Sequence, residues 1–314
     1  RLAMSKAYDS ASSLQKSLAY TKFESSLRYF REACELPGPV RFLEIGSATG
    51  FNAVNYWSKF LDAYEKNQPF ELVFSDLPSN DWNKVFENAK AFEAHRAYPL
   101  MTFACTPGSF INVLQPPSSL NFVFSNATLQ FLTEIEPTLD SFDLASIKGT
   151  RVSELNTAFG QRDLEKILRA RAYELKPGGY FVALYSAYMP PIANKLLTES
   201  LHRLIAQELI TEAEGLQMNY SGTRRSRKSF ERANEATGNL FEILEFEASN
   251  YLMKYSKPEF SAIVRGISEV RVVNAIRNSR PQLDPTPIVD TFYQYIEDNA
   301  PEEPLHGRWK YCVL

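Results

Sequence analysis

Between residues 10 and 34 apolar positions recur at helical spacing, with Leu14, Leu18, Phe23, Leu27 and Phe30 as the expected buried stripe, and the run ends at Pro37-Gly-Pro39. This predicts an amino-terminal helical arm. From Val40 onward short apolar runs alternate with helical stretches: strands are predicted near 40–45, 70–75, 99–103, 119–124 and 179–185, and helices near 51–66, 80–94 and 160–175. Strands separated by helices imply a parallel sheet. Residues 133–160 carry Pro137 and several Ser, Thr and Gly, and read as a loop over a pocket mouth that serves as a lid. Met189-Pro-Pro191 stops the sheet, and residues 192–214 read as a helix rich in Leu and Ile. Another amphipathic helix is expected within 215–250, and helices at 258–278 and 286–299 precede a last strand, Trp309-Lys-Tyr-Cys-Val-Leu314. The expected fold is α/β: an arm over 1–39, a doubly wound core over 40–188, a helical cap inserted over 189–250, and completion of the sheet with carboxyl-terminal helices over 251–314.

Val40-Arg-Phe-Leu-Glu-Ile-Gly-Ser-Ala-Thr-Gly50 is an apolar strand that ends on an acidic residue and turns through two glycines. Glycine lets backbone approach a ligand that a Cβ would block, and the following helix points its N–H groups and positive dipole end into the crevice. The middle glycine of G-x-G-x-x-G is absent, as is the Gly-Lys-Ser/Thr of a phosphate loop. A pyrophosphate is therefore the wrong ligand, and S-adenosylmethionine, which carries no phosphate, is the better candidate. Downstream, Phe70-Glu-Leu-Val-Phe-Ser75 alternates and breaks at Asp76-Leu-Pro78. An acidic residue at the tip of the second strand can accept both ribose hydroxyls, which is the role expected of Asp76. Its alternative is a helix cap or a turn-forming Asp before Pro78.

A chain of 314 residues with 44% hydrophobic content forms one large or two modest domains with a substantial core. The formal net charge is -3, and the basic run Arg224-Arg-Ser-Arg-Lys228 reads as a solvated loop, so nucleic acid is not an expected partner. Cys34, Cys105 and Cys312 lack C-x-x-C spacing, and His95, His202 and His306 are scattered, which favours a reducing compartment and argues against a metal site. No apolar stretch approaches the roughly 20 residues of a membrane span and no signal-peptide core is present at the amino terminus, so a cytoplasmic protein without a membrane partner is expected.

Further motifs fall at predicted strand ends. Thr106-Pro-Gly-Ser-Phe110 follows strand three, where Ser109 has the hydroxyl for an adenine contact and Phe110 the ring to cover a purine; Ser125-Asn126 follows strand four, and Lys176-Pro-Gly-Gly179 is a helix stop and strand entry. In this order the pieces resemble the plant-type SABATH family of S-adenosylmethionine-dependent carboxyl methyltransferases, which includes salicylate, jasmonate and caffeine-pathway enzymes. The family's D-L-G-x-S-S-G-x-N appears as Glu44-Ile-Gly-Ser-Ala-Thr-Gly-Phe-Asn52, and its N-D-L-P-x-N-D-F-N is nearly literal in Ser75-Asp-Leu-Pro-Ser-Asn-Asp-Trp-Asn83. Its F-L-R-x-R-x-x-E-L-x-x-G-G is matched in Ile167-Leu-Arg-Ala-Arg-Ala-Tyr-Glu-Leu-Lys-Pro-Gly-Gly179, and the Tyr, Ser and Gln of its amino-terminal arm in Tyr8, Ser12 and Gln15. The resemblance implies a Rossmann-like class I methyltransferase sheet in which Asp76 holds the ribose and Leu77, Ser109 and Phe110 contact the adenosine. It further implies that Ser12, Gly46, Asn52 and Ser125 line the methionine side, that Tyr8 also reaches the cofactor, that Gln15 orients an acceptor carboxylate, and that a homodimer forms.

One departure bears on the acceptor. Where the family has H-S-S-Y-S-L-x-W-L, this chain has Phe124-Ser-Asn-Ala-Thr-Leu-Gln-Phe-Leu132. Ala127 replaces a tyrosine, which enlarges the pocket, and Phe131 replaces a tryptophan whose indole N–H helps bind the substrate carboxylate. Losing one donor to a charged group costs about 1.5–3 kcal/mol unless another replaces it. Gln130 and Asn126 are the candidate substitutes, and Tyr188 and Met189, just past strand five, are candidate acceptor contacts. The implied reaction is in-line methyl transfer to the carboxylate of a small aromatic, terpenoid or fatty acid. That nucleophile is already ionised, so positioning at about 3 Å does the work and no catalytic base is expected. A ring-nitrogen or phenol acceptor, or a cofactor-binding protein without turnover, are the competing readings.

Overall fold

The computed structural model describes residues 22–63, 69–90, 92, 101–186, 189–302 and 304–314. In chain order the elements are α1 (Phe23–Cys34), β1 (Val40–Ile45), α2 (Phe51–Asp62), β2 (Phe70–Asp76), α3 (Trp82–Ala89), β3 (Met101–Pro107), β4 (Leu120–Asn126), α4 (Arg151–Glu174), β5 (Leu175–Ser186), α5 (Pro191–Ala206), α6 (Glu212–Gln217), α7 (Arg227–Ala236), β6 (Glu245–Met253), α8 (Lys257–Ser279), α9 (Thr286–Asp298) and β7 (Leu305–Val313). The strands form one sheet in the order β3-β2-β1-β4-β5-β7-β6. The first five are parallel, and β7 is antiparallel to both β5 and β6. The order reverses between β1 and β4, which opens a crevice beyond their carboxyl ends.

The central strands are apolar on consecutive positions because both faces of the sheet are covered. Phe42, Leu72, Phe74, Phe122 and Phe124 face α1 and α2, where Phe30, Trp57 and Phe60 fill the layer. Leu43, Val73, Val123 and Phe181 face the opposite way, against Leu164, Ile167 and Leu168 of α4 and Phe230 of α7. A third apolar core joins α5, α8 and α9 through Leu197, Leu201, Phe260, Val264, Val272, Ile276 and Phe292.

Three expectations change. The stretch 133–160 is not a loop throughout, because Thr150 caps α4, its side chain accepting from the Ser153 N–H at 3.2 Å, and the helix starts at Arg151. The part before it is held in place rather than left as a flap: Asp163 accepts from the Thr133 N–H and hydroxyl, Asn156 clasps the backbone of Glu136, and Asn219 clasps that of Thr138. Polar side chains that read as loop composition here satisfy backbone groups. The stretch 215–250 holds the end of α6 and all of α7 and then enters β6, so a boundary at 250/251 falls inside a strand. That strand, Glu-Phe-Glu-Ala-Ser-Asn-Tyr-Leu-Met, lies at the sheet edge and carries polar residues that masked its alternation. Among the described residues no helix is long and apolar enough to cross a membrane.

Candidate active site

Parallel register sets the floor of the crevice. Ile45 pairs with Ser75 of β2 on one side and Ser125 of β4 on the other, so the three side chains share a face at the strand ends. The hydroxyls of Ser75 and Ser125, and that of Ser47 in the turn above, are buried and have no hydrogen-bond partner among the described residues. The turn is pinned from below, with Gly46 N–H donating to Ser75 O at 2.7 Å and Gly50 N–H to Ser47 O at 2.8 Å. Both glycines have positive φ, +79° and +81°. A Cβ on Gly46 would lie 1.8 Å from the Thr128 hydroxyl oxygen, so close packing against the β4 exit, as well as its φ, requires that glycine. Asn52 stands in the first turn of α2, next to this loop.

Asp76, at the tip of β2, accepts the Ala48 N–H on Oδ2 and the Leu77 N–H on Oδ1, each at 2.7 Å. Each oxygen keeps a second lone-pair direction. Burial pushes the carboxyl up from its ordinary range, and the Leu77 and Ala48 N–H groups pull it back. The helix cap that was the alternative role belongs to Asp81, which accepts the Lys84 N–H at 3.0 Å. Asn80 completes the motif by donating to Ala48 O at 2.6 Å, so Asp-Leu-Pro-Ser-Asn clamps the glycine turn from its second-strand side.

The β3 exit lies beside it. Gly108 N–H donates to Asp76 O at 2.8 Å, which sets Ser109 and Phe110, both half-buried, next to the carboxylate loop. The sequence reading took the Lys176–Gly179 end of the Ile167–Gly179 motif as geometry and gave two earlier residues of that motif no role. Arg171 donates to Phe110 O at 3.2 Å and Asn112 O at 2.7 Å, and its Nε lies 2.8 Å from Glu174 Oε2 with both side chains wholly buried. Glu174 in turn accepts the Leu114 and Gln115 N–H groups. This buried pair fixes the loop that carries Ser109 and Phe110, and the R-x-x-E spacing within the quoted motif was the signal for it.

On the other flank, β4 ends at Asn126, and Ala127 turns the chain with φ +58°. Gln130 is buried and donates from its amide nitrogen to Ala127 O at 2.7 Å. Phe131 leaves the sheet, bridges to Gly222 and packs edge-to-face on Tyr220, with ring centroids 5.4 Å apart. Asn126, Ala127, Gln130 and Phe131 therefore stand together between the strand ends and the cap. Met189 is 5% exposed and packed within the cap core instead. Trp57 and Tyr185 are core residues as well. Tyr8, Ser12, Gln15 and Tyr188 lie outside the described residues.

The donor set fits a nucleoside joined to an amino acid: a carboxylate with open lone pairs for a diol, unpartnered buried hydroxyls, and a glycine turn without a cation. Residues 4–282 match the family described as SAM dependent carboxyl methyltransferase. The chain belongs to that family. Among methyltransferase relatives, it is 31% identical over 172 residues to indole-3-acetate O-methyltransferase 1 of Arabidopsis thaliana, covering 46% of this chain and 44% of that one. It is 28% identical over 205 residues to a probable jasmonic acid carboxyl methyltransferase 2 of Theobroma cacao, covering 54% of each. These alignments span about half the length of the curated relatives. The solved structure of a loganic acid methyltransferase with SAH shares the fold, with a TM-score of 0.75 at 20% identity over 98% of this chain and 95% of that one. The carboxyl methyltransferase motifs quoted from the sequence map onto the crevice: the glycine turn, the Asp76 clamp and the β3 exit are neighbours through direct hydrogen bonds. Among the described residues no group of three or more His, Cys, Asp or Glu side chains is arranged to hold a metal.

Proposed function

We propose that this protein methylates the carboxylate of a small acid, aromatic, terpenoid or fatty, to give a methyl ester, with S-adenosylmethionine as donor. The observation that carries the reading is the Asp76 carboxylate, held at the tip of β2 by two backbone N–H groups and adjoining three buried, unpartnered hydroxyls in a chain of this family. Bound S-adenosylmethionine supplies an electrophilic methyl group on a sulfonium sulfur. Asp76 receives the ribose hydroxyls, Leu77, Ser109 and Phe110 the adenine, and Tyr8, Ser12, Gly46, Asn52 and Ser125 the methionine portion. Gln15, Asn126, Ala127, Gln130, Phe131 and Tyr188 are assigned to the acceptor, and Met189 supports them from the cap core. The acceptor is ionised at neutral pH, so these side chains orient and desolvate it rather than remove a proton. A cytoplasmic location belongs to the same reading and is supported by the three free, scattered cysteines, and a homodimer by the family resemblance.

Incubation with radiolabelled S-adenosylmethionine and a panel of carboxylic acids, followed by mild alkali, tests it. Label released as methanol is the expected outcome. Alkali-stable product would move the reaction to nitrogen or phenol oxygen, and cofactor binding without product on any acid would count against turnover.

A further inference from the structure

Phe131 cannot donate to an acceptor, and the amide nitrogen of Gln130 is engaged with Ala127 O at 2.7 Å. The Gln130 oxygen has no partner, but an amide oxygen repels a carboxylate. Neither side chain offers an acceptor carboxylate a positive group, and the cap brings one. Arg271, on α8, sets its guanidinium carbon 5.5 Å from the Phe131 ring centroid and 5.2 Å from that of Tyr220. Its orientation is set by Ser221, whose hydroxyl accepts from Nη2 at 3.1 Å, and by Asn219, whose carbonyl accepts from Nη1 at 3.5 Å. The Ser221 carbonyl accepts the Leu132 N–H at 2.8 Å, so the same short segment ties Arg271 to the β4 exit.

We infer that Arg271 is the residue that holds the acceptor carboxylate, supplying from the cap the donor that Phe131 lacks. The inference rests on the carboxyl-methylation reading. A guanidinium is charged at every working pH and presents five N–H donors in a plane, a geometry that matches a carboxylate in the way a single indole N–H cannot. The Phe131 and Tyr220 rings hold that plane by cation–π attraction and give the body of the acceptor an apolar wall. The arrangement selects acids over neutral acceptors of the same shape, and it makes the cap helix part of the specificity apparatus.

The test is equilibrium binding to the protein loaded with S-adenosylhomocysteine, using benzoate, phenylacetate and octanoate, each against its primary amide. Wild type is expected to prefer the carboxylates, with an affinity that falls as salt rises, while amide binding stays level. Arg271→Gln is expected to weaken carboxylate binding about ten- to a hundredfold with amide and S-adenosylhomocysteine affinities unchanged, and Arg271→Lys to retain part of the preference. A merely structural role would lower all three affinities together. Carboxylate preference that survives Arg271→Gln, or a salt response in wild type shared equally by the amides, overturns the assignment of Arg271 and leaves carboxyl methylation standing. Absence of any carboxylate preference in wild type overturns both. Arg271→Lys and the salt series on wild type decide the matter even where Arg271→Gln does not fold.

Discussion

Glu44 is a carboxylic acid enclosed in the aromatic layer beneath the glycine turn, 4% exposed, with the Trp57 indole N–H donating to it. Burial pushes its carboxyl up to about 8, against the lowering effect of the Trp57 bond. The folded chain thus holds a proton there that the unfolded chain releases near 4.5. Stability contributed at this site is fully present below that unfolded value and declines as pH rises towards 8, after which the penalty is constant. Glu44→Gln keeps an acceptor for Trp57 and removes the titration. It is expected to stabilise the protein by roughly 2–4 kcal/mol at pH 8 relative to pH 5, read from urea melts at the two pH values. A pH-independent difference between variant and parent would show that Glu44 is ionised in the fold. Asp76 gives the complementary case. Its ionised form is the one that accepts two hydroxyls, and burial raises its carboxyl, so affinity for S-adenosylhomocysteine should fall on acidification from a higher pH than an exposed aspartate would set. Asp76→Asn should weaken that binding about ten- to a hundredfold by calorimetry. Equal affinity in the variant would remove Asp76 from the ribose role.

At the scale of elements, α4 delivers the Arg171–Glu174 pair to the loop after β3, and both charges are buried with their hydrogen bonds directed at that loop. Removing one partner leaves an uncompensated buried charge. Arg171→Met alone should cost about 3–5 kcal/mol and weaken S-adenosylhomocysteine binding through Ser109 and Phe110, whereas adding Glu174→Met should recover much of the stability but not the binding. A double-mutant cycle with both readouts checks this, and strict additivity in stability would show that the two charges act independently. The sequence carried the parallel core and the motif spacings clearly, because Phe42-Leu43, Leu72-Val73-Phe74 and Phe122-Val123-Phe124 must be apolar on both faces and the strand ends must carry the turns. It misled at β6, where Glu245, Glu247, Ser249 and Asn250 sit on an edge strand that tolerates polar residues. It also misled before α4, where a Thr cap and polar side chains bound to backbone look like loop. Arg271 was out of reach, since nothing local to α8 reveals that the fold lays it over Phe131, some 140 residues earlier in the chain.

The cap is assembled from two stretches of chain, α5 and α6 before β6, and α8 and α9 after it, so its core joins segments on either side of the edge strand. The described residues assigned to the cofactor lie on strand ends, their loops and the first turn of α2, outside that core, while Phe131 and Arg271 sit where cap and strand ends meet. Cofactor binding and acceptor binding should therefore respond differently to damage in the cap. Phe292 is wholly buried there, near Phe142 and with its carbonyl accepting the Ser200 hydroxyl at 2.8 Å. Phe292→Ala should cost about 3–5 kcal/mol through the cavity it leaves. Its effect on S-adenosylhomocysteine should be small: at a hundred times Kd the ligand is expected to stabilise parent and variant alike by about 2.7 kcal/mol, a shift of a few degrees in Tm. Acceptor KM should rise in the variant while the cofactor-induced shift persists. Loss of the shift in Phe292→Ala would mean that cap and strand ends form one coupled binding unit, and absence of a shift in the parent would contradict the cofactor assignment itself.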